Sequence, residues 1–356
     1  MRREEAMVPE AEFRSYYGQP VIKSPVWHEP HMPAYLYLGG LSGAAAVMGV
    51  MAGLSGRDRL ALTSRVTAAL GATAGAAFLV AELGRPERFL NMLRVFKPTS
   101  PMSMGSWILA VHSGLTAVAA APVLLATRPA SRIAASLPAA VTASLPAAVT
   151  ASLPAAVTAS LPAAVTAVLP AAGDAASLAS GVTGPLMATY TAVLLADTAV
   201  PAWHEAHREL PFLFAGSALA AAGAAGMLAT PRAQAGPARA VAVLGAALET
   251  AAGAVLESRL GLVGEPYHQG RAGRLLRAAR VLTAGGGLLA AVAGRGRVLT
   301  ALSGLALTAG SLVTRFGILE AGRASAADPK YTVVPQRRRL EGEGRAPARA
   351  PARMWP

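Results

Sequence analysis

The sequence predicts an all-α polytopic membrane protein with eight transmembrane helices. Three observations carry this. Hydrophobic residues make up 53% of the 356-residue chain and charged residues only 14%. The apolar residues gather into runs close to the roughly 20 needed to cross a bilayer. The charge is left mostly to the segments between those runs, where it can stay in water.

The eight spans are read at 34–54, 63–81, 106–126, 182–199, 212–230, 239–256, 275–293 and 298–319. They are rich in Ala and Gly rather than Leu and Ile, so each inserts weakly but packs closely, because small residues let helix backbones approach. The first begins after Pro33, which suits a first helical turn, and carries Gly39, Gly40 and Gly43 for close approach. The second ends at Glu82. The third holds His112, the only histidine well inside a span. The fourth carries Tyr190 and, two turns on, Asp197. Glu249 belongs to the sixth, with Glu257 at its end, and Arg315 to the eighth, and an interior pairing of Glu249 with Arg315 is expected.

Residues 128–181 break the pattern. They contain four copies of the octamer SLPAAVTA at 136–167 and a degenerate continuation to 172. A Pro every eight residues removes a helix hydrogen bond in every second turn, so a regular membrane helix is not expected there. The segment reads as a tandem expansion of the connection between helices 3 and 4, either broken helix on the membrane surface or a disordered Pro-rich loop. The chain thus divides into an interfacial arm (1–33), helices 1–3 (34–127), the insertion (128–181), helices 4–8 (182–320) and a basic tail (321–356). The arm lacks the apolar core of a secretory signal, so the first span is expected to be retained.

Charge placement gives orientation and excludes a class. The net charge of +13 comes from 29 Arg and 3 Lys, but it follows the loops rather than one nucleic-acid-binding stripe. Of these cations, 22 fall on the side shared by the two termini and 9 on the other, with Arg315 inside the last span. That bias puts both termini in the cytoplasm. The absence of Cys excludes disulfides, thiolate zinc sites and protein-ligated iron–sulfur clusters of the usual kind, so any cluster belongs to another subunit. A dihaem bundle would need several inward-facing axial ligands, and none is expected here.

The candidate site lies where the charged connector ELGRPERFLNMLRVFKPTSPMSMGSW, residues 82–107, meets the segment WHEPHMPAYLYLGG before and within helix 1. A quinone needs hydrogen-bond donors for two carbonyl oxygens and two protons from groups that exchange with water. His28, His31, Tyr35 and Tyr37 supply donors at the membrane boundary, with an aromatic belt as the plain alternative for the two phenols. Glu82 is placed to relay protons, and Arg85 and Arg88 to hold it ionised or to meet a partner, with an interfacial ion-pair network of the three as the plain alternative. Asp197, an intramembrane carboxylate by its position, is a second proton-transfer candidate. His204 and His207, three apart, make only a weak metal motif, and no metal site is assigned.

Taken together, WHEPHMPAYLYLGGLSG, the connector, YTAVLLADTAVPAWHEAHRELPFLFAGS and RFGILEAGRASAADPKYTVVPQR resemble the NrfD/polysulfide-reductase membrane-subunit family. The resemblance implies two four-helix bundles without haem and a menaquinone site near the first bundle. It also implies a ferredoxin-like partner with four-iron clusters that relays electrons to or from a molybdopterin catalytic subunit. It puts quinone contact on His28 or His31 and on Tyr190, with Arg85 structural or proton-coupled; the chain would not be catalytic alone. The competing class is a secondary transporter or proton conductor using Asp197, Glu249 and Arg315, against which no inverted repeat of interrupted helices is visible.

Overall fold

A computed structural model describes residues 21–126, 163–292 and 296–345. Among them are eight long helices and no strand: α1 His31–Leu54, α2 Asp58–Glu82, α3 Pro101–Ala126, α4 Ala163–Ala196, α5 Leu210–Ala229, α6 Gly236–Arg259, α7 Gly270–Val292 and α8 Arg297–Ala327. Each is long and apolar enough to cross a membrane. A further helix, α9 Lys330–Arg345, follows α8. The protein is a multi-pass membrane protein.

Neighbours in sequence pack as hairpins: α1 on α2, α3 on α4, α5 on α6 and α7 on α8. The α1–α2 turn is only Ser55, Gly56 and Arg57, closed by Gly56 at φ 68° and by the Ser55 hydroxyl donating to the Met51 carbonyl at 2.8 Å. Helix α1 is central and touches α2, α4, α5 and α8. Its contact with α4 is backbone on backbone: a Cβ at Gly43 would stand 2.3 Å from the Gly184 carbonyl oxygen. Shape rather than apolar burial drives such packing in lipid, where helix exteriors lose nothing by facing hydrocarbon. Accordingly Leu70, Val118, Leu288 and Leu305 remain on the outside.

Two differences from the sequence reading have clear causes. The fourth helix begins at Ala163, not at 182, so the end of the octamer segment is helical and carries Pro170, with Pro185 further along. Each proline removes one donor, but α4 is braced by α3: a Cβ at Gly173 would stand 2.7 Å from Pro122 Cγ. Residues 136–162 of the repeat lie outside the described residues. Secondly, Glu249 and Arg315 do not ion-pair directly. Glu249 accepts from Thr314 Oγ1 at 2.6 Å and lies 3.4 Å from Thr283 Oγ1. Arg315 donates from Nη2 to the Phe214 carbonyl at 3.1 Å and stacks 3.6 Å over the Phe214 ring. Successive residues of a helix point about 100° apart, so Thr314 faces α6 and α7 while Arg315 faces α5.

Helix α9 is tethered by Lys330, whose ammonium is 2.9 Å from Glu265. The hydrogen bond from Lys330 holds the Glu265 carboxyl below the usual carboxylate range, and the same bond to Glu265 raises Lys330. A depressed carboxylate pKa stabilises the folded form above its unfolded value and loses that contribution as pH falls through the folded value. Limited proteolysis of 330–345 is therefore expected to accelerate as the pH is lowered through the carboxylate range, and Glu265→Gln is expected to make cleavage equally fast at neutral pH.

Candidate functional site

The N-terminal ends of α1, α3, α5 and α7 and the C-terminal ends of α2, α4, α6 and α8 meet at one end of the molecule, and the candidate residues collect there. The stretch 21–30 is pinned over this end. Glu29 ion-pairs with Arg271 at 2.7 Å and with Arg323 at 3.0 Å. Arg323 also donates to the Trp27 carbonyl. Trp27 stacks on Trp203 with ring centroids 5.4 Å apart, and the buried Trp203 donates to the Ile318 carbonyl at 2.7 Å. Arg271 and Arg323, more than two hundred positions away, and Trp203 thus fix the backbone that presents His28 and His31.

Both histidines converge on Glu82 at the end of α2. The His28 backbone N–H donates to Glu82 Oε1 at 2.7 Å, and His28 Nδ1 lies 3.2 Å from the same oxygen. His31 Nδ1 is 3.7 Å from Oε2, beyond hydrogen-bond range, and the His31 ring tilts against Phe78. The carboxylate is 9% exposed while the imidazoles are 74% and 39% exposed. The arrangement is a shielded proton acceptor under two groups that exchange freely with water.

One turn further along α1, and therefore on the same face, Tyr35 meets Tyr190 of α4 hydroxyl to hydroxyl. Both phenols are buried, against Leu36, Leu109 and Met187 with Phe78 and Ile108 at the edge. Space for the Tyr190 ring exists because α3 has Gly105 beside it: a Cβ there would stand 2.7 Å from Tyr190 Cε2. Gly105→Ala is expected to rotate that ring off Tyr35 at a cost of about 1–3 kcal/mol. The check is the affinity of a naphthoquinone analogue, expected to weaken severalfold while the assembled protein is still recovered.

The remaining candidates stand apart from this cluster. Arg85 is exposed at the start of a 3-10 helix, Pro86–Leu93, and its side chain makes no hydrogen bond or ion pair among the described residues. Asp197 lies just beyond the end of α4 and is exposed. Its backbone N–H still donates to the Val193 carbonyl at 2.9 Å, so the carboxylate leaves from the last turn into the exposed rim. Tyr37 points elsewhere from Tyr35, towards Thr308 and Arg315 of α8. His204 and His207 turn their Nδ1 atoms to backbone carbonyls of Ala196 and His204. Among the described residues no group of three potential ligands approaches metal-binding geometry.

Two features were not read from the sequence. The Tyr35–Tyr190 contact depends on the packing of α1 against α4, which no spacing within α1 signals. The clamp of Glu29 by Arg271 and Arg323 had no local signal at all.

Histidines, a shielded carboxylate and paired phenols thus gather at one end of an eight-span membrane protein. The family is shown directly. The polysulphide reductase NrfD family profile matches residues 19–251, well over half of the chain, and the chain belongs to that family. The match contains every residue of the cluster, from His28 through Tyr190. No curated protein matches the chain.

Proposed function

We propose that the chain is the quinone-reactive membrane subunit of an oxidoreductase complex. In this reading it exchanges electrons between the menaquinone/quinol pool and a peripheral iron–sulfur subunit, which passes them to or from a molybdopterin subunit. The observation that carries the reading is the convergence of His28 and His31 on the shielded Glu82, one turn from Tyr35 and Tyr190. The residues suit such a ligand. Glu82 Oε2 is buried without a hydrogen-bond partner, and the surrounding Phe78, Ile108 and Leu109 offer an apolar wall for a fused ring.

Reduction of a quinone takes up two electrons and two protons. His28 or His31 and Tyr190 would orient the carbonyl oxygens, and Glu82 would hold and pass a proton at its Oε2, with the exposed imidazoles returning it to water. Asp197 and Arg85, both at the wet rim, would serve proton exchange and electrostatic support rather than direct contact. The partner face is the connector after α2, where exposed Leu90, Val95 and Phe96 alternate with the exposed cations Arg85, Arg88 and Arg94. Charge bias favours a cell-membrane location with both termini in the cytoplasm.

Titration of the purified complex with a menaquinone analogue tests the reading. His28→Ala, His31→Ala and Tyr190→Phe each remove one donor. Loss of a ligand hydrogen bond of about 1.4 kcal/mol weakens binding about tenfold. At least one imidazole variant and the Tyr190 variant are expected to show that loss together with slower turnover. Wild-type binding and turnover in all three would refute the assignment.

A further inference from the structure

The end of the molecule that carries the candidate cluster has a second polar feature, in the other half of the chain. An open cavity of about 420 Å³ lies between the end of α6, the 3-10 turn Gly261–Gly264 and α9. It is lined by Arg259, Arg338, Arg339 and Glu205, and by the apolar Leu260, Leu262 and Val263. Arg259 is the last residue of a helix long and apolar enough to cross a membrane, so the cavity lies at the level where headgroups meet hydrocarbon.

The cations there are positioned without being fully neutralised. Arg259 donates from Nε and Nη2 to the two carboxylate oxygens of Glu209, the second bond at 2.6 Å, and from Nη2 to the Glu205 carbonyl. Its Nη1 makes no bond among the described residues, and the side chain is 34% exposed. Arg338 is exposed and has no hydrogen bond or ion pair among the described residues. Arg339 reaches Glu205 only at 3.4 Å and is 65% exposed. Set against Glu205 and Glu209, the three guanidiniums leave one positive charge in excess. Helix α9 is held beside the cavity by Lys330 on Glu265, and Leu340 is exposed directly after the arginines, a pattern suited to a helix lying in the headgroup layer.

We infer that this cavity binds the phosphodiester of an anionic glycerophospholipid. Arg338 and Arg339 hold the phosphate oxygens, with Nη1 of the fixed Arg259 as a third donor. Planar guanidiniums present paired donors that match phosphate oxygens, and Leu260, Leu262 and Val263 face the glycerol and the first methylenes. An acidic protein loop would match the cations but not the apolar side. A phosphatidylcholine headgroup would bring its quaternary ammonium against the excess positive charge. The bound lipid ties α9 to the end of α6. The inference goes beyond the quinone reading and does not depend on it.

Native mass spectrometry of the full-length chain in detergent, with any subunit that copurifies, tests it by titration with phosphatidylglycerol, phosphatidylcholine and inorganic phosphate. Detergent removes the surface potential of a bilayer, so a built site is read apart from diffuse attraction. The expected result is saturable binding of one phosphatidylglycerol in preference to phosphatidylcholine. At least one of Arg338→Gln and Arg339→Gln is expected to weaken it about tenfold, the loss of one charge-assisted hydrogen bond. Arg337→Gln, which removes the same charge from α9 outside the cavity lining, should leave it within about twofold. All three positions are exposed, so the variants keep the fold. Equal binding of the two lipids, wild-type affinity in both cavity variants or an equal loss in the Arg337 variant overturns the proposal. Displacement of the lipid by inorganic phosphate makes this a soluble-anion site and overturns it too, as does loss of a copurifying subunit from the cavity variants with lipid binding intact.

Discussion

Glu82→Gln is expected to lower quinone-linked turnover of the assembled complex by about 10²-fold, the scale of losing a positioned proton-transfer group. The variant keeps the volume of the side chain and one acceptor oxygen, so the His28 N–H bond at 2.7 Å survives. What it loses is the ability to hold a proton. The loss should therefore fall on kcat, with KM and the affinity for a naphthoquinone analogue nearly unchanged, whereas a merely structural carboxylate would move affinity and thermal stability together. Glu82→Asp, which retains a titratable group on a shorter arm, should recover part of the rate. Turnover of the Gln variant within about twofold of wild type would remove Glu82 from the chemistry.

Gly322→Ala is expected to be among the most destabilising small substitutions in the chain. A Cβ at Gly322 would stand 1.9 Å from Trp203 Cε2, deep inside van der Waals contact. Trp203 cannot retreat easily: it is completely buried, holds the Ile318 carbonyl and is stacked under Trp27. Overpacking a filled interior costs about 1–3 kcal/mol and more where the neighbour is rigid. Thermal denaturation in detergent, followed by tryptophan emission, should show a lower Tm. Because the displaced ring supports the arm bearing His28, quinone-analogue binding should weaken as well. Combining Gly322→Ala with Trp203→Leu is expected to relieve the clash and recover part of the Tm, while binding stays weak because the ring that supports Trp27 is gone. A Tm equal to that of the parent would show that the ring is free to move.

How much of this was legible in the sequence depends on the range of the interaction. The spans were readable because hydrocarbon imposes a length and a composition on each helix separately, and the eight apolar runs correspond to the eight helices. Helix starts were less so. Pro33 marked a first turn, but the helix opens at His31, and that shift places His31 and Tyr35 on one face. Periodic prolines argued against a helix through the octamer segment, yet Pro170 and Pro185 are carried inside α4 because neighbouring helices support what the prolines weaken. The residue types of the candidate cluster were visible as motif fragments. The joining of His28 and His31 to Glu82, and of Tyr35 to Tyr190, required the packing of α1 against α2 and α4. The Glu29 clamp spans 242 positions to Arg271 and 294 to Arg323, beyond any periodicity.

The guanidinium of Arg315 has a consequence for biogenesis. It is wholly enclosed, with Phe214 of α5 supplying both its carbonyl bond and its ring contact. Arginine at the centre of a lone helix opposes partition from the translocon by about 2.5–3.5 kcal/mol. The last span should thus leave the translocon only after the fifth has been released and is available to receive it. Nascent-chain truncations ending beyond α8 should then integrate α8 in the presence of α5 and expose it to the aqueous lumen when α5 is replaced by an inert polyleucine segment.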